Sequence, residues 1–180
     1  MKTIALACLG AVLLWGTNAL LSPWVISSKK IADERLALGW LEPSLYDNHP
    51  MAHPIELIEP ESLGLSAGQA LVGYKEGELS LIILPAKAQG YVDEMAFEFA
   101  LAPSGKLLAT RFVRFNETPT IGDRILPKHS AWLNELSAHD AQAYDHLAGA
   151  TKTSKAFMNA LTDAQRYLKK HSNLWLKDEQ

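Results

Sequence analysis

Cysteine is almost missing from this 180-residue chain; the single one is Cys8. One thiol allows no internal disulfide, and no Cys-x-x-Cys pair exists for zinc or thiol redox chemistry. An excess of positive charge is missing too. The formal net charge is −3, from 17 Lys and Arg against 20 Asp and Glu, so no basic face marks a nucleic-acid binder. The six histidines show no His-Glu-x-x-His spacing, no Ser-His-Asp arrangement can be argued, and there are no internal repeats or low-complexity tracts. What is present suits a folded domain: 48 % hydrophobic and 21 % charged residues, in a length sufficient for one core.

Charge is absent altogether from Thr3 to Ile26, "TIALACLGAVLLWGTNALLSPWVI". At ~1.5 Å per residue such a helix covers ~36 Å, enough for a hydrocarbon core of ~30 Å. Trp24 is well placed for an interface. The alternative is a cleaved signal peptide, with Leu-Ala-Cys at 6–8 as a lipoprotein-like site. Only a few apolar residues precede that site, so residues 1–26 read as an uncleaved, single-pass anchor. Lys2 and the amino terminus lie on one side, and Lys29, Lys30 and Arg35 on the other. Counting Lys and Arg alone weakly favours the main domain inside.

Beyond the anchor, residues 27–66 read as a helix followed by a linker. Ile31, Leu36, Leu38 and Leu41 alternate with charge until Pro43, and a proline-rich, irregular segment follows. Residues 67–180 read as the main domain. "QALVGYKEGELSLIILPA" predicts a hairpin turning at Lys75–Gly77, and a second hairpin turns at Pro103–Gly105. Met95, Phe97 and Phe99 alternate with Glu94, Glu98 and Ala100, as on a strand with one buried face. A helix is predicted from Leu126 to Ala138 with Trp132, Leu133 and Leu136 inward. A final helix runs from about Lys152 to His171, with Phe157, Leu161, Ala164 and Leu168 on one stripe. The fold class is α+β: a transmembrane helix, then a domain built on an antiparallel sheet of about four strands with flanking helices.

Most candidate chemistry reads as ordinary structure. "PSGKLLAT" at 103–110 contains Gly-Lys but lies between strands and lacks the remainder of a nucleotide loop. Asp47, His49 and His53 are close in sequence, but an exposed proline-rich segment does not fix ligand geometry, so no metal is expected. Two stretches remain. In "RFNETPTIGDRI", Glu117, Thr118 and Pro119 followed by Gly122 make a rigid loop with room for backbone to approach a ligand. In the second, Ala148, Gly149 and Ala150 clear space at a helix start, and Thr151, Thr153 and Ser154 line it with hydroxyls. Such a helix end suits a phosphate. The other use of Thr151 is plain N-capping with Gly149 as entry turn, the commoner role for such a residue, and the residues alone leave both uses open.

Together the two stretches resemble the FMN-binding G subunit of the Rnf-type electron transport complex, related to the C subunit of the sodium-pumping NADH:quinone reductase. The family pattern Asp-x-x-Ser/Thr-Gly-Ala-Thr appears as Asp145-His-Leu-Ala148-Gly149-Ala150-Thr151. The Glu-Thr-Pro-Gly-x-Gly-Asp-Lys/Arg-Ile loop appears as Glu117 to Ile125. Gly90-Tyr91 and the amino-terminal anchor also match, and the short chain favours the Rnf-type family. The resemblance implies FMN joined by a phosphoester to Thr151. The implied site is Asp145, Gly149, Ala150, Thr151 and Thr153, with Glu117, Thr118 and Gly122 beside the flavin. The implied partners are the other proteins of the complex, the membrane, and a flavin transferase that takes FMN from FAD. The implied place is the bacterial inner membrane with the main domain periplasmic. Such a protein carries electrons for NADH/ferredoxin oxidoreduction and is not a complete enzyme alone. Ala148 departs from the pattern by losing a hydroxyl. Thr120 departs by replacing glycine, which strains a turn that needs positive φ. A membrane-tethered assembly module without flavin, on the same scaffold, is the alternative.

Overall fold

The computed structural model describes residues 29–126, 131–138 and 147–175. The predicted anchor at 1–26 lies outside them. Among the described residues no helix is long and apolar enough to cross a membrane. Two compact units divide at Gly39 and Trp40. Of the first, the described part is a helix, α1, over 29–37.

The second unit is built on a five-stranded antiparallel sheet in the order β1-β2-β3-β4-β5. Its strands are β1 (Ile55–Glu56), β2 (Gln69–Lys75), β3 (Glu78–Gln89), β4 (Glu94–Leu101) and β5 (Leu107–Arg114). Four strands were expected. The fifth, β1, is two residues inside the proline-rich segment, where Ile55 pairs with Ala70. Both hairpins turn where predicted. Glu76 and Gly77 form a two-residue turn, each at positive φ (54° and 85°), the twist that antiparallel neighbours require. Asp47 accepts the Glu76 amide at 2.7 Å, so this carboxylate of the histidine-containing segment serves the hairpin.

The core lies on one face of the sheet. Met95, Phe97 and Phe99 are buried as the alternation required, and the long helix α3 (Thr151–Lys170) covers them. Phe157 is the pivot of this contact. Its ring lies 5.3–5.8 Å from Phe97, Phe99, Phe112 and Trp132. Such pairs add ~0.5–1.5 kcal/mol each beyond their buried area, enough to fix the axial position of α3. At its far end the Tyr167 hydroxyl donates to Ile58 O and accepts from Ile58 N, pinning the helix to the chain beside β1. The opposite face is not open either. Ala100, Leu81 and Ile83 are buried there, so Ala100 departs from the expected solvent-facing position.

The helix predicted from Leu126 begins later, as α2 (Trp132–Ala138). Leu126 is extended, at φ −71° and ψ 141°, because the residue before a proline is pushed out of the helical region. Trp132, Leu133 and Leu136 are buried as expected.

Candidate functional site

The loop leaving β5 is organised around one carboxylate. Glu117 is only 7 % exposed, and four donors reach it. The backbone N–H of Tyr91 donates to Oε2 at 3.1 Å, those of Val92 and Asp93 to Oε1 at 3.1 and 3.5 Å, and the Thr153 hydroxyl to Oε2 at 2.5 Å. Burial pushes the carboxyl up, but the hydrogen bonds from Thr153 and from Val92, Tyr91 and Asp93 outweigh it and hold the pKa below its ordinary value. One side chain therefore joins three parts of the sequence: the β3–β4 loop, the loop after β5, and α3. The joint is tight. A Cβ on Gly90 would lie 2.2 Å from Glu117 Oε1, and one on Gly122 would lie 2.5 Å from Glu117 Cβ.

The rest of that loop curls back on Thr118, whose carbonyl accepts from Ile121 N and Gly122 N. Thr120 takes φ +65°, the conformation in which a β-branched residue is strained. The strain expected from replacing glycine is present.

The entry to α3 is a turn closed by Ala150 N donating to Leu147 O at 3.0 Å. Gly149 occupies its third position at φ +84°, and a Cβ there would meet an Arg124 guanidinium nitrogen at 3.0 Å. That guanidinium donates to Ala148 O at 2.8 Å. Ala150 is the residue at the cap, with no side-chain cap bond, and Thr151 is the first helical residue. Thr151 is therefore not the N-cap. Ser154 ties the turn instead: its hydroxyl accepts from Leu147 N and donates to Thr151 O, both at 3.2 Å. The first amides of α3 thus lack intrahelical partners and a capping side chain.

These two assemblies face each other across a cleft of about 370 Å³, within the range typical of small-molecule sites. It is lined by Tyr91, Glu117, Thr118, Ile121, Gly122 and the run from Gly149 to Thr153. Seven of the eight residues expected at the site from sequence are thereby brought together. The eighth, Asp145, lies outside the described residues. Thr151 is exposed, whereas Thr153 is buried and its hydroxyl is committed to Glu117. Tyr91, Ile121 and Lys152 were not among the expected site residues. Each stood in or beside a quoted motif, but nothing in its residue type announced a ligand wall.

The cleft falls inside the stretch that matches the FMN-binding domain family, residues 90–166. Similarity extends further along the chain. It is 32 % identical over 159 residues to the G subunit of the ion-translocating oxidoreductase complex of Pseudomonas aeruginosa, covering 79 % of this chain and 74 % of that protein. The chain belongs to the Rnf-type G-subunit family. Other relatives in it include those of Vibrio cholerae, 26 % identical over 74 % of this chain and 72 % of the relative, and Shewanella piezotolerans, 24 % identical over 93 % and 85 %. Within this Rnf-type chain the FMN-binding match begins at Gly90, where an added Cβ would collide with Glu117, and it takes in the start of α3 with Thr151 to Thr153.

Proposed function

We propose that this chain carries electrons through FMN held covalently by a phosphoester to Thr151, within an ion-translocating Rnf-type complex. Residues 1–26 anchor it in the inner membrane, residues 27–66 connect, and residues 67–180 form the flavin domain on the periplasmic side. Its partners are the other proteins of the complex and a flavin transferase. The observation that carries this reading is the contrast between two hydroxyls. Thr151 is exposed in the cleft with no capping role, while Thr153 is buried and bound to Glu117.

The cradle fits a phosphate ester. Gly149 leaves the approach to Thr151 free of a side chain, the uncapped start of α3 offers amides and partial positive charge, and Arg124 stands beside the turn. Thr151 would supply the oxygen that bonds to the phosphorus of the FMN half of FAD, with AMP as the leaving group taking the electron pair of the broken phosphorus–oxygen bond and the hydroxyl proton lost to solvent. Tyr91 and Ile121 give the cleft apolar walls, and Glu117 braces both loops. Bound FMN supplies reversible electron transfer that these side chains lack.

Intact mass of the protein co-expressed with a flavin transferase tests the reading. The mass rises by one FMN less one water, and Thr151→Val abolishes the gain while leaving the fold intact. Flavin retained on Thr151→Val would overturn the assignment.

A further inference from the structure

The cleft has a charge asymmetry of its own beside the start of α3. Two of its lining residues are ionisable with opposite sign, Glu117 and Lys152. The Glu117 oxygens already accept from four donors, so that negative charge is spread into the protein. Among the described lining residues Lys152 is the one cation. Its backbone belongs to α3, one residue beyond Thr151, but its ammonium crosses to the β3–β4 loop and lies 5.1 Å from the centre of the Tyr91 ring. Tyr91 is 62 % exposed. A contact between two such accessible side chains is weak and easily exchanged for another.

A group tethered at Thr151 and lying in this cleft therefore has the Tyr91–Lys152 pair as part of its wall. We infer that Lys152 sets the reduction potential of the flavin, its ammonium stabilising the negative charge that the ring system gains on reduction, with Tyr91 holding the ammonium at the cleft when the ring is elsewhere. The inference rests on the reading of Thr151 given above and goes beyond it. Attachment needs the Thr151 oxygen and the helix start. Tuning needs a cation that borders the cleft, and a unit charge beside a partly desolvated group acts far more strongly than one in bulk water.

The neighbouring lysine supplies an internal control. Lys155 is one helical turn on and lines a separate cleft with Glu61, Lys87, Asn159 and Asp163. Lys152 borders both clefts; Lys155 borders only the second. A general effect of positive charge on α3 would be shared by the two, whereas a specific effect belongs to Lys152.

The experiment uses the full chain co-expressed with a flavin transferase, as wild type, Lys152→Gln, Lys152→Arg and Lys155→Gln. Intact mass is read first, then the flavin potential by spectroscopic titration with dithionite against a reference dye. All four proteins gain one FMN less one water. Lys152→Gln shifts the potential to more negative values, while Lys152→Arg and Lys155→Gln stay at the wild-type value. A fully loaded Lys152→Gln protein with an unchanged potential overturns the role of Lys152 and leaves Thr151 untouched. An equal shift in Lys155→Gln also overturns it, by showing that the effect is not local. No mass gain in the wild type overturns both readings together.

Discussion

Thr153 donates its hydroxyl to Glu117 Oε2 at 2.5 Å, and this bond separates the two threonines at the start of α3. Two residues on, a helical side chain points ~200° around the axis. Thr151 consequently stays in the cleft while Thr153 turns inward to the carboxylate. The hydroxyl open to modification and the one that holds the site together are thus distinct by geometry.

The first prediction concerns Glu117 itself. Glu117→Gln replaces an acceptor of four donors by a group with one acceptor oxygen and an NH2 that opposes the remaining N–H groups. It should destabilise the domain by about 1–3 kcal/mol in a denaturant titration. The pH dependence has a defined sign. The folded-state pKa is depressed, so the unfolded chain takes up the proton first. The contribution of Glu117 is complete above the unfolded value, ~4.3, and is lost as pH falls through the lower folded value. Glu117→Gln should flatten that part of the acid-stability curve. An unaltered curve would remove Glu117 from its role as brace.

A second prediction tests the loop as a wall of the site. The added bulk of Gly122→Val starts with a Cβ 2.5 Å from Glu117 Cβ and 3.1 Å from Oε2, so the carboxylate must move. The phosphoester should still form, because Thr151 belongs to a different element. Flavin absorbance or potential should change. Wild-type spectrum and potential in a loaded Gly122→Val protein would count against this loop as a flavin wall.

What could be read from the sequence divides by the range of the signal. The α3 stripe of Phe157, Leu161, Ala164 and Leu168 repeats at helical spacing, and all four are buried. Met95, Phe97 and Phe99 declared one strand face in the same way. β1 was missed because two residues among prolines have no period, and Ile55 becomes a strand only through its pairing with Ala70. α2 starts later than expected because Pro127 holds Leu126 extended, and the inward-facing residues begin only at Trp132. At the site, the small-residue run before Thr151 and the Glu117 loop were visible as local patterns. Their link was not, since Glu117 meets amides 24 to 26 residues earlier and a hydroxyl 36 residues later. The Lys152–Tyr91 contact escaped for the same reason.

Thr120 gives a third prediction, of opposite sign to most substitutions. At φ +65° a β-branched residue carries strain of about 1–3 kcal/mol, and glycine would relieve it. Glycine also loosens the unfolded chain, at a cost of roughly 0.5–1 kcal/mol. Thr120→Gly should therefore stabilise the domain by about 1 kcal/mol, measured as a rise in the denaturation midpoint with unchanged slope. A destabilised Thr120→Gly protein would mean that the threonine side chain holds the loop through contacts stronger than the strain.

The fourth prediction is the side of the membrane, where two lines of reasoning oppose each other. Lys29, Lys30 and Arg35 follow the apolar stretch and weakly favour a cytoplasmic domain. Family resemblance favours the periplasm. The charge difference is small, and long domains are translocated largely regardless of local charge, so the periplasmic side is the stronger expectation for residues from about Ser27 onward. Lys75 suits a test: it is exposed at the end of β2, beside the two-residue turn at Glu76 and Gly77, and does not line the cleft. In a Cys8→Ala background, Lys75→Cys should react with a membrane-impermeant maleimide in whole cells with a permeable outer membrane. Attachment of FMN should occur on the same side, because Lys75 and Thr151 belong to one compact unit and cannot lie across the membrane from each other. Labelling that appears only after the inner membrane is broken would reverse the topology, and would move the flavin and its transferase to the cytoplasm with it.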